Sequence, residues 1–323
     1  MAQTFQHVPI LLSRCIEGLS PKSSGVYLDG TLGGGGHAEA VLERIGPDGR
    51  LYGIDRDQDA LRAAGARLAR FGSAFCPIHG NFKEAPRLLQ ERGVSGLDGI
   101  LLDLGVSSWQ LDAAERGFSY NADAPLDMRM DQTATLTAYG VVNTYPREAL
   151  VRILREYGEE KWAPRIATFI VERRSQKPIA TTGDLVDLIM AAIPAGARRG
   201  GPHPAKRTFQ AIRIEVNAEL DGLGQAVCDL IECLRPEGRM GVITFHSLED
   251  RAVKQAMRRM EQPCTCPASA PVCVCGRKPQ GKCTPRKPIL PSEEEIAANP
   301  RSRSAKLRIF VRNDQPAFYP KGV

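Results

Sequence analysis

The feature that most constrains the fold is a glycine-rich segment, Asp29-Gly30-Thr31-Leu32-Gly33-Gly34-Gly35-Gly36-His37, between a strand-like run and a helical pattern. Glycines allow a tight turn and a close approach of a ligand to the backbone, and N–H groups at a helix start can receive an acceptor. A second strand-like run ends at Asp55, 22 residues after Gly33, where a carboxylate can accept both hydroxyls of a ribose. The segment therefore predicts a βαβ unit that binds a nucleoside cofactor.

This motif by itself leaves the cofactor open. Gly33, Gly35 and Ala38 satisfy a loose dinucleotide fingerprint, and the glycines also fit a plain strand-to-helix turn with Asp29 as its cap. An acidic residue at the end of the first strand and the lack of a second nucleotide-binding half favour S-adenosylmethionine. We therefore expect S-adenosylmethionine and keep a nucleotide-dependent oxidoreductase as the alternative.

Strand-like and helix-like segments alternate towards both ends of the chain. Apolar runs near residues 75–78 and 99–102 are separated by helical patterns, which is typical of a parallel sheet covered on both faces. The pattern resumes with a helix near 223–234, a turn at 236–238, an apolar run at 240–245, a helix near 248–260 and a last strand at 305–311. The predicted fold class is α/β.

A helical region interrupts this alternation. From about residue 112 the sequence is polar and irregular, and amphipathic helices follow to about residue 220, among them 147–157, 163–174 and 184–193. We predict three segments, which are residues 1–111 as the first part of an α/β domain, 112–220 as a helical insertion, and 221–323 as the second part of the α/β domain.

Polar residues follow two of the predicted strands. Asp103 and Ser107 leave the carboxyl end of the fourth strand, and His246 follows a later one. Ligands bind at this edge of open α/β sheets. Such groups can hold the hydrogens of an exocyclic amine such as that of cytosine during methyl transfer, so Asp103, Ser107 and His246 are the candidate catalytic residues. Helix capping is the alternative for Ser107, and for Ser247 with Asp250 three residues on.

Two loops also have functional interpretations. Residues 124–131 look too polar and irregular for a core helix and predict a mobile loop over the site. Basic residues at 198–207 suit phosphate contacts, although solvated loop charge is the more ordinary explanation.

Charge is distributed unevenly along the 323 residues. The whole chain has 43 Lys and Arg against 37 Asp and Glu, a net of +6. Residues 251–323 hold 15 basic and 5 acidic residues, so this end carries +10 and the rest carries −4. The basic end predicts a polyanionic partner such as nucleic acid, with phosphate contacts between Arg277 and Arg312, and a solvated basic tail is the alternative.

No stretch is apolar over the roughly 18 residues that a membrane span needs, and the first residues lack the pattern of an export signal. We therefore expect a cytoplasmic protein with no membrane partner. The sequence leaves the oligomeric state open.

Five of the nine cysteines lie in a Pro-rich, basic segment at residues 263–291. An odd number of cysteines without an export signal argues against a disulfide framework. The five exceed the four thiolates of a structural zinc site, and a disordered loop that binds no metal is the alternative. The candidate zinc ligands are Cys264, Cys266, Cys273, Cys275 and Cys283. The remaining cysteines are interpreted as core packing, namely Cys15, Cys76, Cys228 and Cys233.

Several ordered motifs resemble a known family. They are Asp29-Gly30-Thr31 with Gly35-Gly36-His37, Ile54-Asp55-Arg56, Leu102-Asp103-Leu104-Gly105-Val106-Ser107-Ser108, Glu115-Arg116-Gly117-Phe118-Ser119, Pro125-Leu126-Asp127-Met128-Arg129-Met130, Thr208-Phe209-Gln210-Ala211-Ile212-Arg213 and Phe245-His246-Ser247-Leu248-Glu249-Asp250-Arg251. Together they resemble the ribosomal RNA small subunit methyltransferase H family, the MraW type, from about residue 7 to residue 312.

The resemblance implies a class I S-adenosylmethionine-dependent methyltransferase fold, Rossmann-like, with an inserted all-helical substrate-recognition domain. It also implies methylation of the N4 amine of a decoding-centre cytidine, position 1402, in the 16S rRNA of the small ribosomal subunit. By matching motif, the implied cofactor-binding residues are Gly35, Gly36, His37, Asp55, Phe82, Asp103 and Gln110. Trp109 stands where the family usually has proline.

The resemblance leaves the group that orients the amine unassigned, and it neither supports nor excludes zinc. A zinc-containing RNA-binding ribosome factor without enzymatic activity is the remaining alternative.

Overall fold

A computed structural model of the chain describes residues 9–199, 201–267 and 272–315, with the backbone alone for Ser108. Two compact units are present. The first comprises the described residues up to Gly105 and from Gly222 onwards, and the second runs from Val106 to Asp221. Residue 200 of the basic loop and residues 268–271 of the cysteine-rich segment, both included in sequence-based predictions, lie outside the described residues.

The first unit contains a sheet whose strands, within the described ranges, are β1 (Val26–Asp29), β2 (Arg50–Asp55), β3 (Phe75–His79), β4 (Leu97–Asp103), β5 (Leu234–Thr244), β6 (Gly281–Cys283) and β7 (Lys306–Arg312). Their order is β3-β2-β1-β4-β5-β7-β6. Strands β1 to β5 run parallel, and β7 is antiparallel to both β5 and β6. The predicted α/β, Rossmann-like fold class is confirmed.

Helices connect these strands because apolar residues recur at helical spacing between them. The helices of the first unit are α1 (Leu12–Leu19), α2 (Gly36–Ile45), α3 (Gln58–Leu68), α4 (Ala85–Gln90), α11 (Leu223–Glu232), α12 (Ser247–Glu261) and α13 (Glu293–Ala298). The near-continuous apolar sequence of the central strands matches their burial, since Ile100, Leu101 and Leu102 of β4 are at most 2% exposed.

The strand order reverses between β1 and β4. β1 pairs with β2 on one side and with β4 on the other, so the connections that follow β1 and β4 depart in opposite directions. In open α/β sheets this switch point leaves a crevice outside the carboxyl ends of the strands, where ligands bind. Asp29 and Asp103 occupy those two carboxyl ends.

The predicted turn at residues 236–238 takes the form of an irregularity within β5. Leu97 of β4 is paired with Leu234, but Gly99 is paired with Arg239, so four residues of β5 stand opposite one of β4. Glu237 has a φ of 64° at this point. The chain therefore bulges where Pro and Gly predicted a turn, and the strand continues on both sides because its pairing with β4 resumes.

The second unit is all-helical in its regular structure. Its described helices are α5 (Ser108–Asp112), α6 (Ala138–Thr144), α7 (Arg147–Glu156), α8 (Ala163–Gln176), α9 (Thr182–Ala192) and α10 (Ala205–Asn217). Their apolar stripes meet in one core that includes Val141, Leu150, Ile166, Ile189 and Ile212. None of the helices in the described ranges of either unit has the length and apolarity that a bilayer crossing requires.

Residues 124–131 contain no helix, as predicted, but they are packed into the protein and are not an open loop. Met128 and Met130 are 0% and 4% exposed and belong to the core of the second unit. The buried Asn217 amide donates to the Met128 carbonyl (2.7 Å) and accepts from the Met130 N–H (2.8 Å). Arg116 donates to the carbonyls of Arg129 and Met130. The segment looked polar because its backbone is held by polar side chains rather than by helical hydrogen bonds.

Candidate active site

The glycine-rich turn is tied to the end of β2. Gly33 and Gly35 adopt positive φ angles of 49° and 76°, which only glycine adopts without strain. The Gly33 N–H donates to Asp55 Oδ2 (2.8 Å), and the Asp57 N–H donates to Asp55 Oδ1 (2.9 Å). Each oxygen of Asp55 retains a further lone pair for a ligand hydroxyl. Burial raises the pKa of Asp55.

Close packing surrounds the same turn. A Cβ atom on Gly36 would lie 2.4 Å from Pro9 Cγ, and one on Gly30 would lie 2.4 Å from Leu102 Cδ2 and 3.0 Å from Phe82 Cβ. By contrast, a Cβ on Gly34 would meet nothing within 4 Å. The turn is therefore packed against the protein at both of its ends and open at its centre, with Phe82 beside its first glycine.

Asp29, at the end of β1, is 3% exposed. Its Oδ1 accepts from the Thr31 N–H (3.1 Å), so the expected capping of the turn is present. Burial raises the pKa of Asp29 to about 7; the Thr31 hydrogen bond opposes this rise, and the charge of Asp55 adds to it. This carboxyl group is therefore poised to titrate near neutrality.

Asp103, at the end of β4, has one carboxylate oxygen without a hydrogen-bond partner. Oδ1 is buried and unpaired among the described residues, whereas Oδ2 lies 3.9 Å from His37 Nδ1. The Asp103 N–H donates to Thr31 Oγ1 (2.6 Å), which fixes the end of β4 against the glycine-rich turn. Burial, then the charges of Asp29 and Glu249, raise the pKa of Asp103 to about 8.

His37 is buried at the start of α2 and is held from the other side. Its Nε2 lies 3.0 Å from the carbonyl oxygen of Ile10. A carbonyl can only accept, so Nε2 carries a proton and Nδ1 faces Asp103. The residues just before α1 therefore position a ring of the site, and no sequence motif indicated this role for Ile10.

His246 is the N-cap of α12, in place of Ser247, which the capping alternative had named. His246 Nδ1 accepts from the Glu249 N–H (3.4 Å), and Glu249 Oε2 accepts from the N–H groups of Phe245 (3.0 Å) and His246 (3.4 Å). With His246 as the N-cap, Ser247 is the first helical residue and Glu249 is the third. Glu249, and not Asp250, therefore completes the capping box. His246 Nε2 lies 3.1 Å from Glu249 Oε1, without the geometry of a hydrogen bond.

Ser107 and Gln110 belong to the second unit, where they form a capping box at the start of α5. The Gln110 N–H donates to Ser107 Oγ (3.2 Å), and the Ser107 N–H donates to Gln110 Oε1 (3.0 Å). The capping interpretation of Ser107 is thus realised. Gln110 is 5% exposed, whereas Trp109, the departure from the family pattern, is 47% exposed.

The fold thus gathers most of the predicted site residues at or just after the carboxyl ends of β1, β2, β3 and β4. They are Gly35, Gly36, His37, Asp55, Phe82 and Asp103. Sequence reasoning did not single out Thr31 or Glu249. The spacing of Glu249 three residues after His246 was the available signal, since it matches a capping box once histidine is accepted as the cap.

Four of the five candidate metal ligands also come together in the first unit. They are Cys264, Cys266, Cys273 and Cys275, whose Sγ atoms all lie within 4.8 Å of one another. Cys283, on β6, is not in this group, and burial raises the pKa of its thiol to about 11. Of the cysteines interpreted as core, Cys15 and Cys228 are buried, and Cys76 and Cys233 are half-buried.

Two basic residues of the predicted phosphate-binding segment point into the protein. Arg308 is 9% exposed and donates to Asp250 (2.8 Å), and Arg312 is 5% exposed and donates to the Ile231 carbonyl (2.7 Å). The expectation that these two residues contact phosphate is wrong, because each side chain is buried and hydrogen-bonded to a partner inside the protein. The exposed basic residues of this segment are Lys278, Lys282, Arg286, Lys287, Arg301 and Arg303.

Comparison with known proteins identifies the family of this chain. The family model described as the MraW methylase family matches residues 4–313. Three relatives, each named ribosomal RNA small subunit methyltransferase H, align with nearly the whole chain. The protein of Symbiobacterium thermophilum is 55% identical over 95% of this chain and 97% of its own. Those of Brevibacillus brevis and Heliobacterium mobile are each 54% identical, over 95% and 94% of this chain and 98% of their own.

Proposed function

The chain belongs to the MraW methylase family, and on that premise we propose that it methylates ribosomal RNA of the small subunit with S-adenosylmethionine as methyl donor. The acceptor is the N4 amine of the decoding-centre cytidine. The names of the relatives support ribosomal RNA as the substrate class. The carboxyl groups of Asp29 and Asp103, at the ends of β1 and β4, support S-adenosylmethionine as the donor.

The residues present fit S-adenosylmethionine. The donor carries a positively charged sulfur and an ammonium group. Two carboxyl groups with raised pKa values, those of the buried Asp29 and the half-buried Asp103, stand at the switch point of the sheet. The open centre of the glycine-rich turn leaves room for a ligand at Gly34, and Asp55 keeps free lone pairs for the ribose hydroxyls. The residues of the first unit that would hold the donor are Gly35, Gly36, His37, Asp55, Phe82 and Asp103.

The unpaired oxygen of Asp103 is the single observation that carries the proposal. A buried carboxylate oxygen without a partner costs stability, and its place at the switch point of the sheet supports a partner supplied by a ligand. S-adenosylmethionine supplies a methyl group on a cationic sulfur. The cationic donor favours the ionised form of Asp103, which in the ligand-free protein has a pKa of about 8. The Asp103 carboxylate then accepts a hydrogen bond from the N4 amine and takes the proton that N4 releases when it gains the methyl group.

Asp103 is a better proton acceptor than the other candidate of the first unit. His246 Nδ1 accepts the Glu249 N–H of the capping box, and Nε2 faces the Glu249 carboxylate. Nδ1 is therefore engaged in capping α12, and Nε2 faces a carboxylate of the same helix. We assign His246 a positioning role for Glu249, whose charge contributes to the raised pKa of Asp103.

The cytosine must be unpaired when it reacts, because a base-paired N4 amine is within the helix stack and engaged in a hydrogen bond. The exposed basic side chains between Lys278 and Arg303 support binding of the surrounding phosphates. The experiment that tests the proposal maps N4-methylcytidine in 16S rRNA from cells that lack the gene. We expect the decoding-centre cytidine to lose its N4-methyl group and wild-type protein to restore it, whereas an unchanged modification would overturn the proposal.

A further inference from the structure

A cluster of four cysteines lies in the long connection between α12 and β6. The Sγ–Sγ distances are 3.5 Å for Cys264–Cys273, 3.9 Å for Cys266–Cys273, 3.5 Å for Cys273–Cys275 and 3.8 Å for Cys264–Cys275. All four are free thiols, and a disulfide would bring two of the sulfur atoms to about 2.05 Å.

These distances match the edges of a metal-centred tetrahedron. With a zinc–sulfur distance of about 2.3 Å, tetrahedral geometry places the sulfur atoms about 3.8 Å apart. The four Sγ–Sγ distances, 3.5 to 3.9 Å, lie close to that value. An iron–sulfur cluster fits poorly, because its four cysteines bind different iron atoms and their sulfurs stand farther apart.

Burial does not explain why the four thiols converge. Cys264 and Cys273 are exposed, and the side chains of the neighbouring Val272 and Val274 are 69% and 86% exposed. Thiols are weak hydrogen-bond partners, so four of them in contact with water gain little by meeting. Closing the chain between Cys264 and Cys275 costs conformational entropy, which must be offset by another interaction.

The surroundings of the cluster also suit thiolates. The Val274 N–H points to Cys266 Sγ at 3.4 Å, and backbone donors of this kind commonly support metal-bound sulfur. The base of the connection is closed separately by a hydrogen bond from the Gln280 N–H to the Met260 carbonyl (2.9 Å). The cysteine cluster thus lies between two fixed ends of one loop, directly before the basic pair Arg277 and Lys278.

We propose that Cys264, Cys266, Cys273 and Cys275 bind one zinc ion in a closed, structural site. Four thiolates fill the tetrahedron and leave no position for a substrate or water, so the ion has no part in the methyl transfer. Its role is to fold the connection between α12 and β6 and thereby to orient the basic residues that follow Cys275. Cys283 is not a ligand.

Elemental analysis of the full-length protein, purified without chelator, tests the proposal. We expect about one zinc per chain in the wild type and in Cys283→Ser, and almost none in Cys264→Ser or Cys273→Ser. The Cys283→Ser variant is the matched control because it removes a thiol of the same segment that lies outside the cluster.

A second measurement needs no variant and so does not depend on the folding of one. Titration of wild-type protein with an organic mercurial, in the presence of a zinc indicator dye, should release one zinc as about four thiols react. Three results would overturn the proposal. The wild-type protein could hold no metal, it could hold iron in place of zinc, or the Cys283→Ser variant could contain no zinc.

Discussion

Asp103 Oδ2 lies 3.9 Å from Nδ1 of the buried His37, while the other oxygen of the same carboxylate is buried without a partner among the described residues. The two residues come from different βα connections, and Thr31 joins those connections by accepting the Asp103 N–H. The arrangement leaves a carboxyl group that is costly to ionise in the ligand-free protein. It therefore links the binding of a cationic ligand to the stability of the protein and to pH.

The first prediction is that Asp103 destabilises the ligand-free protein. A carboxyl group whose pKa rises from about 4 to about 8 on folding binds its proton more tightly in the native state, so the free energy of unfolding falls as pH rises through that window. Asp103→Asn cannot ionise. We expect it to raise the free energy of unfolding at pH 8 and to differ little from wild type near pH 4, as measured by urea denaturation at both values.

The matched control for this experiment is Asp48→Asn, which changes an exposed carboxylate of the same unit. It should follow the wild-type pH dependence. If Asp103→Asn lowered the free energy of unfolding at pH 8, the carboxylate would be a stabilising group and the raised pKa would be refuted.

The second prediction concerns protons released on binding. At pH 7 the ligand-free Asp103 is largely protonated and Asp29 is about half protonated. A cationic donor favours the ionised carboxylates, so binding of S-adenosylmethionine should release protons, and its affinity should increase from pH 6 to pH 8. Calorimetry at pH 7 in two buffers of different ionisation enthalpy measures the release directly. Equal heats in the two buffers would contradict the linkage.

The third prediction separates backbone strain from open space in the glycine-rich turn. Gly35 has a φ of 76°, and a Cβ there would lie 3.2 Å from Ala64 Cβ and from Leu68 Cδ1. Gly35→Ala should therefore lower the free energy of unfolding by roughly 1–2 kcal/mol, the cost of a left-handed conformation with a side chain. Gly34→Ala, whose Cβ meets nothing within 4 Å, serves as the control and should change stability by far less. Equal losses in both variants would contradict the described turn.

The fourth prediction concerns the exposed basic residues. Replacing Arg286, Lys287, Arg301 and Arg303 together by Gln should weaken binding to small-subunit RNA and reduce the slope of log K against log salt by roughly 3, if each contacts one phosphate. The affinity for S-adenosylmethionine should stay unchanged. Filter binding over a series of salt concentrations provides the measurement.

A double substitution of exposed arginines elsewhere in the first unit, Arg62→Gln with Arg70→Gln, controls for the loss of charge as such. It should leave the slope close to that of the wild type. If the fourfold variant kept the wild-type slope of log K against log salt, these four residues would not contact RNA phosphates.

The strands and the main helices were predictable because their signals are local. Val26–Asp29 and Leu97–Asp103 are short apolar runs that end in an acidic residue, and Arg147–Glu156 has apolar residues at helical spacing. The proximity of Asp29 and Asp103 was not available from such signals, since it depends on the pairing of β1 with β4 across 74 residues. Pairing of strands that are distant in the sequence is a property of the sheet as a whole.

The errors have a common origin in tertiary hydrogen bonding. Residues 124–131 are a buried part of the second unit because Asn217 and Arg116, distant in the sequence, satisfy their backbone groups. Arg308 and Arg312 counted as charge for RNA, yet each has an internal partner that composition does not reveal. Residue types indicated which functional groups each segment contains. Only the folded structure shows which of those groups have internal partners and which are exposed to a ligand.

Methyl transfer by the purified protein tests the central claim most directly. Wild-type protein and Asp103→Asn are incubated with S-adenosylmethionine labelled with deuterium in the methyl group and with small ribosomal subunits from cells that lack the gene. Mass spectrometry of the nucleosides and of the RNA fragments then locates the label. We predict deuterated methyl on N4 of the decoding-centre cytidine with the wild type and a large loss of transfer with folded Asp103→Asn. Label on a ring carbon or a ribose oxygen, or full activity of Asp103→Asn, would contradict the account.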